Sequence, residues 1–151
     1  MTVESLGAAD IREILRHLPH RYPFVMVDRI IDIRGDEHGI GIKNVTINEP
    51  QFLGHFPGNP VMPGVLVIEG MAQTACVLTL RLMAPRDKPR TVLFLTIDKA
   101  KFRKPALPGD TIEYHVDRVG RRRNMFWYRT EAKIGGVLIA EAVLGAFVIE
   151  D

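Results

Sequence analysis

The longest apolar run in the chain, VLVIEGMAQTACVLTLRLMA (residues 65–84), carries hydrophobic side chains around nearly every face of a helical period. Glu69, Gln73 and Arg81 interrupt it, so the pattern predicts a core helix rather than a membrane span. Upstream, ADIREILRH (residues 9–17) sets Ile11, Ile14 and Leu15 on one face behind Asp10 as a cap, which predicts a short amphipathic helix. FVMVDRIIDIRG (residues 24–35) and HGIGIKNVTI (residues 38–47) read as strands on either side of a Gly35-Asp36 turn. Past the long helix come TVLFLTIDKAKF, TIEYHVDRV, MFWYRTEAKI and VLIAEAVLGAFVI, four strand-like segments. The connections between them are a PALPGD turn and two hairpin-like links, GRRRN and GG.

Short links imply antiparallel neighbours. A helix that is apolar nearly all round must be covered nearly all round. A curved antiparallel sheet wrapped about one central helix meets both demands, an α+β architecture. One such sheet shields only one side of the helix, so a second copy is expected to cover the rest, and at least a dimer follows. A chain of 151 residues without repeat or linker is a single domain, residues 1–151.

Composition narrows the function classes. At 46% hydrophobic and 25% charged, the chain has enough apolar surface for a core and is not a disordered segment. A net charge of +2, without an aromatic-interleaved basic motif, argues against nucleic-acid binding. Cys76 stands alone, so no intrachain disulfide forms, and its apolar neighbours suit a small buried hydrophobe. The N-terminus shows no basic region followed by an apolar stretch, so the expected location is cytoplasmic, without membrane insertion. His17, His20, His38 and His115 lack the pattern of a metal site. Asp28 and Arg29 read as structural strand residues, and Phe126 and Trp127 as core.

The chemistry concentrates in GHFPGNPVMPG (residues 54–64) and the helix it enters. Pro57, Pro60 and Pro63 each fix their own φ and bias the residue before them to extended backbone, so His55 sits in a stiff loop. Gly64 opens the helix, where unpaired N–H groups and the positive end of the dipole suit a developing oxyanion. Glu69 lies further along; in apolar surroundings its carboxyl would favour the neutral, proton-donating form. His55 can accept a proton near neutrality. Gln73, four residues beyond Glu69, falls on the same helix face and could orient the carboxyl. Each residue has a plainer alternative: His55 bonded to backbone, Glu69 paired with an arginine, Gln73 a bystander, Gly64 a helix-opening glycine.

GHFPGNPVMPGVLVIEGMAQ resembles the active-site segment of the β-hydroxyacyl-acyl carrier protein dehydratases of type II fatty-acid synthesis, most closely the non-isomerising, broad-chain-length members. LPHRYPFVMVDRI (residues 18–30) and IDKAKFRKPALPGD (residues 97–110) resemble two further stretches of that family. The resemblance implies a hot-dog fold and a homodimer with composite sites, often assembled as a trimer of dimers into a hexamer. His55 would be the catalytic base and Glu69, from the opposite chain, the acid; Gly64 N–H would hold the thioester carbonyl. The isomerising relatives carry Asp where this chain has Glu69, which argues against isomerisation here. No metal and no organic cofactor are implied. The partner would be acyl carrier protein, an acidic protein with a phosphopantetheine-linked 3-hydroxyacyl chain. Lys101, Arg103, Lys104, Arg121, Arg122 and Arg123 are then candidates for docking it rather than merely solvated turns. Phe94 is a candidate for the acyl tunnel wall. A thioesterase of the same fold and a non-catalytic acyl-binding subunit are the competing readings; a binding subunit would need neither His55 nor Glu69.

Overall fold

The computed structural model describes residues 6–150. In chain order the elements are β1 (Gly7–Ala9), α1 (Ile11–His17), β2 (Arg29–Arg34), β3 (His38–Asn44), a 3-10 turn (Pro50–Leu53), α2 (Gly64–Leu80), β4 (Val92–Phe102), β5 (Thr111–Arg122), β6 (Met125–Ile134) and β7 (Val137–Val148). The strands form one seven-stranded sheet in the order β1-β2-β3-β5-β6-β7-β4, and every pairing is antiparallel. The sheet holds α2 through β3, β5, β6 and β7.

Alternation along the strands explains the grip. Ile112, Tyr114 and Val116 of β5 are buried, as are Phe126, Tyr128, Thr130 and Ala132 of β6, every second residue in each case. The helix comes so close to β5 that a Cβ on Gly70 would collide with the Tyr114 ring. Asp10 caps α1 as its position predicts, accepting from the Glu13 N–H at 3.0 Å. Gly135 and Gly136, both at positive φ, make the two-residue β6–β7 hairpin.

Four details differ from the sequence pattern. A short strand, β1, precedes α1 and pairs with β2; three residues carry too little pattern to signal a strand. Residues 24–28 are loop, so β2 begins only at Arg29; their apolar side chains cover the helix from outside the sheet, and Met26 and Val27 are buried there. The GRRRN link shrinks to a turn at Arg123-Asn124, because β5 runs on to Arg122 past an irregularity near Gly120. Trp127 is not core: Phe126 and Tyr128 take the inward positions, and Trp127 lies on the other face opposite Gly145.

The helix is covered more fully by its own chain than one sheet would allow. α1, the 24–28 segment and Met62 close much of the side the sheet leaves open. What remains is the first turn, where Val65 is exposed and Gly64 and Leu66 are partly so, and the partly exposed Glu69 and Cys76, which share a helix face with Val65. On the sheet, β4 is the outer strand beside β7, and all its residues after Val92 are exposed. They include Leu93, Phe94, Leu95 and Ile97.

Candidate active site

The loop that carries His55 is fastened at both ends. Glu49, before the 3-10 turn, accepts from Lys43 Nζ at 2.6 Å, Thr46 N at 2.9 Å and Gln51 Nε2 at 3.0 Å. His55 N–H donates to Gln51 O at 3.1 Å, and Val61 N–H returns to His55 O at 3.0 Å. Phe56 and Asn59 exchange backbone bonds across the turn, and Met62 N–H donates to Ala106 O at 2.8 Å. His55 Nδ1 lies 2.6 Å from Val61 O. A carbonyl oxygen can only accept, so Nδ1 carries the hydrogen and Nε2 presents the basic lone pair. The backbone-bonded and the catalytic readings of His55 are therefore compatible: one nitrogen anchors, the other is free to react.

His55 opens into a cavity of about 460 Å³ together with Gly64, Val65, Phe102 and Ile139. No side chain caps the N-terminus of α2, and Leu66 N–H and Val67 N–H both turn to Pro63 O. Helix geometry leaves the N–H groups of Gly64 and Val65 without an intrahelical acceptor, at the wall of this cavity. A Cβ on Gly64 would stand 2.7 Å from the Phe102 ring, so the position has room only for hydrogen.

Glu69 opens into a different cavity, of about 210 Å³, shared with His20, Phe24, Gln73, Cys76 and Phe94. Its surroundings are mixed: Phe24, Ala72, Val92, Leu93 and Phe94 supply the apolar lining that the helix sequence suggests, but two polar side chains also approach the carboxyl. Gln73 Nε2 donates to Glu69 Oε1 at 3.0 Å, and His20 Nε2 lies 3.3 Å from the same oxygen. The neighbour on this oxygen beside Gln73 is thus a histidine, not an arginine, and the contact is an ion pair only when His20 is protonated. Gln73 is no bystander: it is buried, its Nε2 also donates to Phe24 O at 2.7 Å, and its Oε1 accepts from Met26 N–H at 2.8 Å. One amide ties the helix, the carboxylate and the 24–28 segment together. Burial first, and then the Glu69 charge, pushes the Cys76 thiol up to about 12, so it stays protonated and suits no nucleophilic role.

The sequence pattern gives His20 no role, since it lacks the spacing of a metal site. The available signal was its place in LPHRYPF, one of the stretches that carry the resemblance. Phe94, expected on the acyl tunnel wall, does line the Glu69 cavity.

The basic candidates separate. Arg103 and Lys104 line the His55 cavity, next to Phe102 and Lys101 at the end of β4. Arg121, Arg122 and Arg123 lie at the other end of the sheet: Phe102 pairs with Ala140 of β7, whereas Phe147 of β7 pairs with Met125 beside that turn. At about 3.3 Å per residue these ends are roughly 20 Å apart. Arg121 is moreover engaged, 3.7 Å from Asp36 and stacked 5.1 Å over the Phe126 ring. Within one chain the six residues do not form a single patch.

A helix wrapped by an antiparallel sheet, with a histidine loop at its N-terminus and a carboxylate within it, defines a protein of the hot-dog fold. Residues 18–143 match the FabA-like domain. The chain is 60% identical over 145 residues to the 3-hydroxyacyl-[acyl-carrier-protein] dehydratase FabZ of Rhodopseudomonas palustris (strain BisB18), covering 96% of each chain. It is 57% identical over 151 residues to the FabZ of Methylobacterium nodulans, covering 99% of this chain and 95% of that one. Among solved structures, the dehydratase heterocomplex ApeI:P from Xenorhabdus doucetiae superposes with a TM-score of 0.78 at 19% identity, over 91% of each chain. The chain belongs to the FabZ family of 3-hydroxyacyl-[acyl-carrier-protein] dehydratases and is a hydro-lyase of that family. Among the described residues no helix is long and apolar enough to cross a membrane.

Proposed function

We propose that this chain converts (3R)-hydroxyacyl-acyl carrier protein to trans-2-enoyl-acyl carrier protein in fatty-acid elongation, at composite sites made by two copies. The observation that carries the reading is that His55 and Glu69 are each fixed by hydrogen bonds yet open into different cavities of one chain. Gly64 and Glu69 are five helical residues apart, about 140° around the axis at 3.6 residues per turn, which suits a helix serving two sites. Exposed Val65 at the start of α2 and the long apolar edge strand β4 favour cover by a second copy, since monomers rarely leave so much apolar surface or so long an unpaired edge. Three such dimers would make a hexamer.

In the reaction, the N–H groups at Gly64 and Val65 polarise the thioester carbonyl and make C2 more acidic. His55 Nε2 takes the C2 proton. The electrons of that C–H bond form the C2–C3 double bond as the C3–O bond breaks. Glu69 of the second copy gives its proton to the departing hydroxyl, which leaves as water. The steps balance without an oxidant, metal or organic cofactor. Cys76 and Phe94, further along the Glu69 cavity, would border the acyl chain.

The test runs the reaction backwards. Purified protein is mixed with a trans-2-enoyl thioester and the loss of enone absorbance is followed. Wild-type hydration, absent in His55→Ala and in Glu69→Gln with the assembly intact, supports the assignment. Free thiol without hydration points to a thioesterase, and binding without either change points to a non-catalytic subunit.

A further inference from the structure

We propose that Cys76 determines how long an acyl chain this enzyme accepts: with Val92 it forms a neck between the Glu69 cavity and a smaller cavity further along α2, which only the longer chains must enter. This rests on reading Glu69 as the group at the reacting C3 carbon.

Two cavities follow one another along the helix. The Glu69 cavity, of about 210 Å³, is lined by Cys76 and Val92. The same two residues line a second cavity, of about 20 Å³, together with Thr79 and Leu80 of the helix and Tyr128 and Val148 of the sheet. Glu69, Cys76 and Leu80 step in that order towards the C-terminus of α2, so the second cavity lies beyond the first as seen from the carboxyl.

The walls of the neck are fixed. Val92 pairs with Val148 at the start of β4, and the Ile149 N–H donates to Thr91 O at 2.9 Å. At the floor, the Tyr128 hydroxyl donates to Asp36 O at 2.6 Å and lies 2.9 Å from Thr79 Oγ1, which satisfies the polar atoms and leaves the ring as an apolar surface. All of these residues belong to one chain, so the neck does not depend on how a second copy seats against it. The Cys76 thiol stays protonated, and its contribution is size alone.

Chain length follows from the spacing. Cys76 is seven residues beyond Glu69, about 10 Å along the axis at ~1.5 Å per residue. An extended alkyl chain with bonds of ~1.5 Å advances about 1.3 Å per carbon. With C3 at Glu69, about eight further carbons reach Cys76, so chains of up to roughly 11 carbons end in the larger cavity. Leu80 is about 6 Å further on, a distance that corresponds to a chain of roughly 16 carbons. The second cavity, about 20 Å³, holds little more than one water-sized group, so a longer tail presses on the Cys76 side chain. The bulk at position 76 then decides how well such chains reach the reactive position.

The experiment measures kcat/KM for trans-2-enoyl chains of 4, 8 and 16 carbons on acyl carrier protein, with Cys76→Ala and Cys76→Leu beside wild type. Each protein is scored by the ratio of its C16 value to its C4 value, which does not depend on how much of a preparation is folded. That ratio should be roughly 10- to 100-fold lower in Cys76→Leu than in Cys76→Ala, while their C8-to-C4 ratios agree within about 3-fold. A C16-to-C4 difference under about ten-fold, or a matching fall in the C8-to-C4 ratio, overturns the proposal. Should Cys76→Leu be inactive with every chain, Cys76→Val takes its place under the same criteria. Glu69→Gln separates this proposal from the reading it rests on. If that variant is dead with the C4 substrate, the acid assignment stands and the ratios judge the neck alone; if it is active, both fall.

Discussion

His55 and Glu69 line separate cavities of the same chain: His55 faces the N-terminus of α2 with Gly64, and Glu69 faces His20 and Phe94. If the working site pairs one of each from two copies, inactive variants should complement. Co-expressed His55→Ala and Glu69→Gln chains form mixed dimers that hold one intact site, so the mixture should show about a quarter of the wild-type rate. Either variant alone should be inactive. A mixture as inactive as its parents would place both residues in one chain's site.

Gly64 is bounded by Phe102, with 2.7 Å between its hypothetical Cβ and the ring. Gly64→Ala should therefore displace either the ring or the first turn of α2, and kcat/KM should fall by about 10- to 100-fold. Adding Phe102→Ala should restore part of that rate by vacating the space. A double variant no faster than Gly64→Ala would mean the loss arises at the helix N-terminus and not from the ring.

Gln73 ties three groups with its two polar atoms, so Gln73→Leu should cost both stability and rate. The Met26 N–H and Phe24 carbonyl lose their partner, which amounts to about 2 kcal/mol by chemical denaturation. kcat should fall more than ten-fold as Glu69 loses its orienting donor. An unchanged kcat alongside lowered stability would reduce Gln73 to a structural tie.

Tyr114 is fully buried and, among the described residues, its hydroxyl has no partner. Tyr114→Phe removes that orphan and should stabilise the fold by about 1 kcal/mol, read from Tm or denaturant midpoint. Burial first, then the charges of Asp28, Glu49 and Glu69, holds the phenol above the usual tyrosine range. The folded protein thus keeps this proton where the unfolded chain releases it. The associated stability is intact below the unfolded value, near 10, and is lost as pH rises beyond it. Cys76, raised to about 12, acts in the same sense from its own unfolded value upward. Wild-type stability should therefore decline in alkali, and Tyr114→Phe should decline less.

For carrier docking, the end of β4 and the Arg121–Arg123 turn are separable. Arg103→Glu and Lys104→Glu should lower kcat/KM for carrier-linked substrate by about ten-fold at low salt, less at high salt, and leave a small thioester unaffected. Lys101→Glu should act in the same direction. Arg122→Glu and Arg123→Glu should change little. The opposite ranking would move the docking surface to the far end of the sheet.

Much of this was legible in the order of residues. Periodicity marked α2, three prolines marked a stiff loop, and glycine at the helix start marked an open set of N–H groups, because these are local consequences of backbone chemistry. The pairing of Glu69 with Gln73 followed from helical spacing alone. Tertiary structure decided the rest, through contacts that no local pattern encodes. The 24–28 segment reads as a strand by composition, but Gln73 holds it as a loop across the helix. Trp127 reads as core by size, but strand alternation gives the inward places to its neighbours. His20 comes within 3.3 Å of Glu69 only through tertiary packing that no local pattern encodes. Which nitrogen of His55 is free to react likewise depends on a carbonyl, Val61 O, that the loop folds back to meet.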